Sequence, residues 1–258
     1  MERYSIMFEE IKIDQIQNKV SSLMKKGRLV FSNYYGIDTS AQYEILETSQ
    51  SIVLKKKEVN YSRLYVLSID SNDLLSIFNS LPYEDKLVIN IPSKREITDW
   101  VELFAATGFS KIGEYNRYYN KIIKERKSAI GDFAQCDDVD DVYDLLYDNF
   151  SPMVDYLPSR CELEMMVSNH QVLVDYDENR KVCGTLIYTI EGQKCYFNAW
   201  IDKGNNGLFL LYKVYNIVAE HGIKYTYFWV DSKNEKVIKL HLLMGAAADG
   251  LKDYTYIK

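Results

Sequence analysis

The chemistry in this chain is most concentrated between Cys195 and Gly245. A short apolar and aromatic run from Cys195 to Asp202 reads as a buried strand. It leads into Lys203-Gly204-Asn205-Asn206-Gly207, where two glycines and two asparagines favour a turn with free backbone amides. From Leu208 the apolar positions Leu208, Leu211, Tyr212, Tyr215 and Val218 recur every three or four residues, one face of a helix that Gly222 ends. Such a loop at a helix N-terminus makes an anion site, because the unpaired amides of the first turn and the helix dipole point the same way. Gly204 and Gly207 let the backbone approach a pyrophosphate, and Lys203 adds a positive charge; an ordinary strand-to-helix turn has the same composition. After a second strand, Lys224 to Val230, the residues Asn234, Val237, Leu240, His241 and Gly245 fall in the spacing Asn-x-x-small-x-x-Leu-aromatic-x-x-x-Gly.

The elements that must position these residues follow from periodicity and turn chemistry. Ile11, Ile13, Ile16, Val20, Leu23 and Met24 mark a helix closed by Gly27. Arg28–Tyr35, Tyr43–Leu46, Ser51–Val59 and Arg63–Ile69 read as strands. A helix capped within Ser71-Asn72-Asp73 runs to Ser80, followed by a strand from Lys86 to Ile91, a helix from about Arg95 to Thr107 and a strand from Lys111 to Asn120. The second half has an acidic-entry helix, Cys136 to Asn149, a proline-bearing loop from Ser151 to Arg160 and a short helix, Cys161 to Asn169. Strands at Gln171–Tyr176 and Lys181–Ile190 then lead, through Glu191-Gly192-Gln193, into the Cys195 strand. Asp231 or Ser232 stands where a cap for the last helix is expected.

The two halves overlay at an offset of 137: Gly108-x4-Gly113-x5-Tyr119-x-Lys121 becomes Gly245-x4-Gly250-x5-Tyr256-x-Lys258. Matching strand-turn-helix stretches precede both runs, so the chain reads as two copies of one α/β fold, residues 1–125 and 126–258, with a linker near Lys121 to Ser128. At that offset Asn234 falls on Ile97 and His241 on Phe104, and SIDSNDLL replaces the glycine-containing loop. The first copy is therefore expected to be structural.

The element order and the Asn234–Gly245 spacing resemble the acyl-CoA-dependent GNAT N-acetyltransferase superfamily over roughly Asp132 to Lys258. The loop departs from that family's Gln/Arg-x-x-Gly-x-Gly/Ala pattern in either register: from Lys203, Asn206 and Leu208 take the small positions, and from Gly204, Gly207 is kept but Phe209 comes last. The resemblance implies two tandem folds, each a mixed, mostly antiparallel sheet flanked by helices, with a degenerate N-terminal copy. It implies acetyl-CoA as co-substrate, its pantetheine on the backbone of Ala199, Trp200 and Ile201, its pyrophosphate on Lys203, Gly204, Asn205, Asn206, Gly207 and Leu208, and Asn234 facing the cofactor. Tyrosine is frequent in the family at the place of His241, so the resemblance gives His241 the proton for the departing thiolate. A lone histidine on an apolar helix face is equally a buried packing residue, and an asparagine behind a strand is equally a cap. No carboxylate stands near Asn198, where a general base is expected; Glu191, Asp202 and Tyr196 flank that place.

Composition excludes several classes. The net charge is −6, with 17 basic and 17 acidic residues in 1–125 against 14 and 20 in 126–258. Without a basic stripe the chain is a poor nucleic-acid binder, which counts against transfer from an aminoacyl-tRNA. No apolar run approaches the ~18–20 residues of a membrane span, and the charged N-terminus lacks a signal-peptide core. Four dispersed cysteines and three distant histidines give neither a disulfide framework nor a metal set. The expectation is a cytoplasmic N-acetyltransferase acting by direct attack of a small-molecule or peptide amine. The alternative is a binding or regulatory protein that keeps the fold without CoA chemistry. Acceptor and oligomeric state lie beyond the sequence.

Overall fold

The computed structural model describes residues 7–82 and 86–258. They form two compact units, Met1–Glu114 with Lys252–Lys258, and Tyr115–Leu251.

The first unit begins with β1 (Glu9–Ile11) and α1 (Ile13–Lys26), whose Ile16, Val20 and Leu23 recur at helical spacing and are buried. Then come β2 (Phe31–Ser32), β3 (Tyr43–Glu47), β4 (Ser51–Lys57), β5 (Ser62–Ser68), α2 (Ser71–Ser80), β6 (Leu87–Ser93) and α3 (Thr98–Thr107). Asp70, one residue before the expected cap, holds the start of α2 by accepting the Asp73 amide at 2.8 Å. Gly108 ends α3 at φ 81, a left-handed conformation that costs glycine least. The sheet runs β1-β3-β4-β5-β6, and residues 252–257 of β13 (Ala247–Ile257) lie antiparallel to β6. Phe31, Phe78, Trp100, Phe104, Phe109 and Tyr256 form its aromatic core.

In the second unit β8 (Asp132–Phe133) and one 3-10 turn (Cys136–Asp138) precede α4 (Val139–Asn149) and α5 (Arg160–Ser168). The predicted helix from Cys136 thus opens as a tighter turn. Ser159 and Glu162 form a reciprocal capping box at the start of α5. There follow β9 (Val172–Tyr176), β10 (Val182–Glu191), β11 (Lys194–Asp202), α6 (Gly207–Glu220), β12 (Tyr225–Asp231) and α7 (Glu235–Leu243). The strand order is β7-β12-β11-β10-β9-β8, where β7 (Ser110–Asn120) pairs with β12 through Tyr115–Asn120. Every pairing described in this unit is antiparallel except that of β11 with β12. The helices α6 and α7 cover one apolar cluster and α4 and α5 another.

β7 and β13 keep the offset of 137 at both ends. The compact units nevertheless differ from a linear division at residue 125. Residues 115–120 run with β12 in the second unit, and residues 252–257 run with β6 in the first. Backbone pairing, which the linear sequence does not display, decides where each strand belongs.

The expected strand Arg28–Tyr35 contracts to Phe31–Ser32, and its placement matters. In the first unit β5 and β6 are parallel and pair only at Ser62↔Leu87 and Arg63↔Val88. Since β4 covers all of Ser62–Ser68 on one edge of β5, Phe31–Ser32 takes the other edge, opposite Leu67 and Ser68. Asn33, 3 % exposed, completes the closure. Its Nδ2 donates to the Leu64 and Asn90 carbonyls, each at 3.0 Å, and its Oδ1 accepts the Val66 amide at 2.6 Å. The widening between β5 and β6 is thus filled by the chain itself.

Removing the Asn33 side chain strands buried backbone groups on both strands. Asn33→Ala is expected to destabilise the protein by about 2–4 kcal/mol, read from the urea unfolding midpoint. An unchanged midpoint would mean that the closure is not held by this residue.

Candidate functional site

The second unit opens the corresponding place. β11 and β12 pair in parallel only from Lys194↔Tyr225 to Phe197↔Phe228. Beyond that point β12 keeps only its β7 partner, with Trp229 to Asp231 opposite Arg117 to Tyr115, while β11 continues along β10. The register between β10 and β11 steps from Tyr188↔Phe197 to Ile187↔Ala199, so Asn198 is an extra, bulged residue where the parallel pairing stops. Its Oδ1 accepts the Thr189 hydroxyl at 3.0 Å. The Lys203 amide donates to the Cys183 carbonyl at 2.9 Å. With the register Thr185↔Ile201, Leu186↔Trp200 and Ile187↔Ala199, antiparallel alternation then directs the Trp200 N–H and C=O away from β10, into the gap. Of the three strand residues expected to present backbone groups, Trp200 has this orientation, while Ala199 and Ile201 bond toward β10.

His241, from α7, reaches the same gap. Its ring lies 3.9 Å from that of Phe228 and 5.6 Å from that of Trp200, centroid to centroid. It is 3 % exposed, and burial pushes its pKa down to about 4. The imidazole is neutral at pH 7 and holds no readily donated acid proton, which counts against the expected proton-donor role. His241 Nδ1 and Trp200 Nε1 are both buried and lack hydrogen-bond partners among the described residues. A buried polar atom left in that state costs roughly 1–3 kcal/mol, so these two nitrogens mark a place suited to a polar ligand. Asn234 is exposed and caps α7, its Oδ1 accepting the Val237 amide at 3.2 Å, in place of Asp231 or Ser232.

The loop holds the clearest departure from expectation. Asn205 adopts φ 67, the left-handed conformation its residue type tolerates. The glycines, however, make room for the protein's own side chains. A Cβ on Gly204 would stand 2.7 Å from Cys183 Sγ, and one on Gly207 only 2.6 Å from Asp202 Cβ and 2.8 Å from Asp202 Oδ2. Asp202 Oδ1 accepts the amides of Gly204 and Asn206 at 3.0 and 3.2 Å. Asn206 Nδ2 donates to Asp175 Oδ2 at 2.9 Å. Lys203 is exposed and Leu208 half-buried. A depression of about 530 Å³ beside the loop has Asp175, Asp177 and Glu178 in its wall against the single cation Lys203. Burial first, then the charges of Asp175, Asp177 and Asp202, raise the Cys183 pKa. Unpartnered polar groups thus lie beside the gap, whereas carboxylates of the protein itself occupy the loop.

A carboxylate missed by sequence reasoning lies on the loop after α4. Asp155 is half-buried, accepts the Tyr115 hydroxyl at 2.5 Å and the Ser151 amide at 2.9 Å, and has its pKa raised by burial, with the charge of Asp231 adding to it. Tyr115 and Asp231 face each other across β7 and β12, three residues beyond the end of the β11–β12 pairing. Nothing in the loop FSPMVDYLPS marks this aspartate except its apolar neighbours. Asp138, just before α4, serves local structure: its Oδ2 accepts the Gln135 amide at 2.7 Å and the Tyr176 hydroxyl at 2.8 Å. Among the described residues no group of three His, Cys, Asp or Glu side chains could hold a metal ion.

No family model matches the chain, and no curated protein matches it significantly. Solved structures do share its architecture. A GCN5-related N-acetyltransferase from Sphaerobacter thermophilus superposes with a TM-score of 0.57 at 11% identity, over 88% of this chain and 83% of that one. A tandem GNAT protein from the clavulanic acid biosynthesis pathway reaches 0.56 at 8% identity, over 98% of both chains. A GNAT-family acetyltransferase from Colwellia psychrerythraea reaches 0.53 at 10% identity, over 97% and 98%. The chain has the GNAT fold, as the element order and the Asn234–Gly245 spacing anticipate; at these identities the likeness is one of fold.

The state of His241 has a pH signature. Its native pKa near 4 lies below the ordinary 6.5, so between those values the unfolded chain binds a proton that the native imidazole does not. Stability contributed above pH 6.5 is therefore lost as pH falls toward 4. The difference in unfolding free energy between the wild type and His241→Phe should change by on the order of 2–3 kcal/mol between pH 7 and 4.5, the wild type losing more. Parallel urea curves at both pH values check this, and a pH-independent difference would contradict the neutral buried imidazole.

Proposed function

We propose that the chain is an N-acyltransferase that uses an acyl thioester of the CoA type, acetyl-CoA in the first instance, and acylates the amine of a small molecule or peptide by direct attack. The second unit is the working copy and the first is structural. The observation that carries this reading is the open end of the β11–β12 pair, with the Trp200 backbone directed into it and two unpartnered nitrogens, Trp200 Nε1 and His241 Nδ1, on residues beside it. The corresponding widening of the first unit is filled by Phe31–Asn33.

In this reading the Trp200 N–H and C=O hold the thioester arm as a neighbouring strand would. His241 offers one N–H and one lone pair as a neutral group. Asp155 accepts the proton that the attacking amine must lose, since burial and Asp231 raise its proton affinity toward the useful range. Tyr115 orients that carboxylate through its 2.5 Å hydrogen bond. Asn234 has only its Nδ2 left for a ligand, its Oδ1 being used by α7. A bound thioester would supply the activated acyl group: the C–N bond forms as the C–S bond breaks, and the thiolate leaves to take its proton from solvent. A cytoplasmic location belongs to the same reading and is supported by four free cysteines; no helix among the described residues is long and apolar enough to cross a membrane.

Thiol release from acetyl-CoA, followed across a panel of amines, tests the activity. Asp155→Asn is expected to lower kcat about 100-fold or more with little change in the donor KM, and Tyr115→Phe to lower it less. Full turnover in Asp155→Asn would remove Asp155 from the reaction. Absence of thioester binding and turnover with every amine would favour the non-catalytic alternative.

A further inference from the structure

We propose that Asp202 selects the donor: its carboxylate takes the anion position of the Lys203–Gly207 loop, so the thioester is recognised through its pantetheine arm, and the diphosphate and nucleotide of CoA add nothing to binding. This rests on the acyl-transfer reading above.

A helix N-terminus attracts one anion to its free amides. Here that anion is covalently attached. Asp202 Oδ1 already accepts the Gly204 and Asn206 amides, and the rest of the carboxylate lies against Gly207, the first residue of α6. α6 has no acidic residue in its first turn and no side-chain cap from Asn206, so Asp202 is the negative group this terminus uses. A diphosphate in the loop would have to displace it and would still face Asp175, which holds Asn206 at 2.9 Å, and Asp177 and Glu178 beyond. At the other end of the site the balance is reversed, because Trp200 Nε1 and His241 Nδ1 are buried without partners. A negative charge and two internally bonded amides stand where the diphosphate would lie, whereas buried hydrogen-bonding groups are unsatisfied where the arm would lie. Preference for the arm follows from that contrast.

Calorimetric titration with acetyl-CoA, S-acetyl-pantetheine and inorganic pyrophosphate tests this on the wild type, Asp202→Ala and Asp202→Asn. The asparagine variant can keep the two amide hydrogen bonds without the charge and guards against a misfolded alanine variant. The wild type should bind both thioesters within about threefold and show no heat with pyrophosphate. Asp202→Ala should bind acetyl-CoA about tenfold more tightly and give measurable heat with pyrophosphate, with S-acetyl-pantetheine unchanged and Asp202→Asn in between. A wild type that prefers acetyl-CoA at least tenfold, with pyrophosphate as competitor, would overturn the proposal. If neither thioester binds the wild type, the acyl-transfer reading falls. The pyrophosphate arm then still decides the place of Asp202: binding gained on substitution supports its occupancy of the loop, and binding unchanged refutes it.

Discussion

Everything distinctive in the second unit depends on two parallel strands parting company after four residue pairs. Strands must pair, and β11 and β12 each have a better partner on their far side, β10 and β7. The bulge at Asn198 supplies the bend: one extra residue shifts the register on β10 and increases the local twist. The result is a sheet with an internal edge. An internal edge is costly in a folded protein unless something completes it, because backbone N–H and C=O groups need partners whatever side chains surround them.

The two units meet that requirement differently, and their element orders part where the first has β2 and the second has α5. In the first, β5 and β6 separate after only two pairs, and Phe31–Ser32 adds itself to the free edge while Asn33 bridges both strands. A single amide side chain, with a donor group and an acceptor, suits three backbone groups on two diverging strands. In the second unit no segment does this among the described residues, and the edge is flanked by Trp200, Phe228 and His241, two of which carry unmatched nitrogens. The two units thus differ in how the gap between their parallel strands is completed.

The loop after β11 shows why composition misleads where function is concerned. Glycines and asparagines behind a strand suggest a phosphate cradle because they free the backbone, yet freedom of the backbone does not say what approaches it. Here Gly204 gives way to Cys183 and Gly207 to Asp202, and both neighbours belong to the protein. The carboxylates of Asp175 and Asp202 then set the electrostatics of the loop.

Local signals carried much of the architecture. Helical spacing at Ile16, Val20 and Leu23 and the glycine stop at Gly108 depend on neighbours in the chain, so the sequence by itself determined most of the order of elements and the resemblance to one fold. It also brought attention to Trp200 and His241. Tertiary structure alone decided the rest. Long-range pairing assigned residues 115–120 to β12 and 252–257 to β6, burial lowered the pKa of His241, and a loop fold brought Asp155 to Tyr115, forty residues away. The reason is physical: a turn or a helix stop is written in a few adjacent residues, whereas strand partners, desolvation and charge neighbours exist only once distant segments have met.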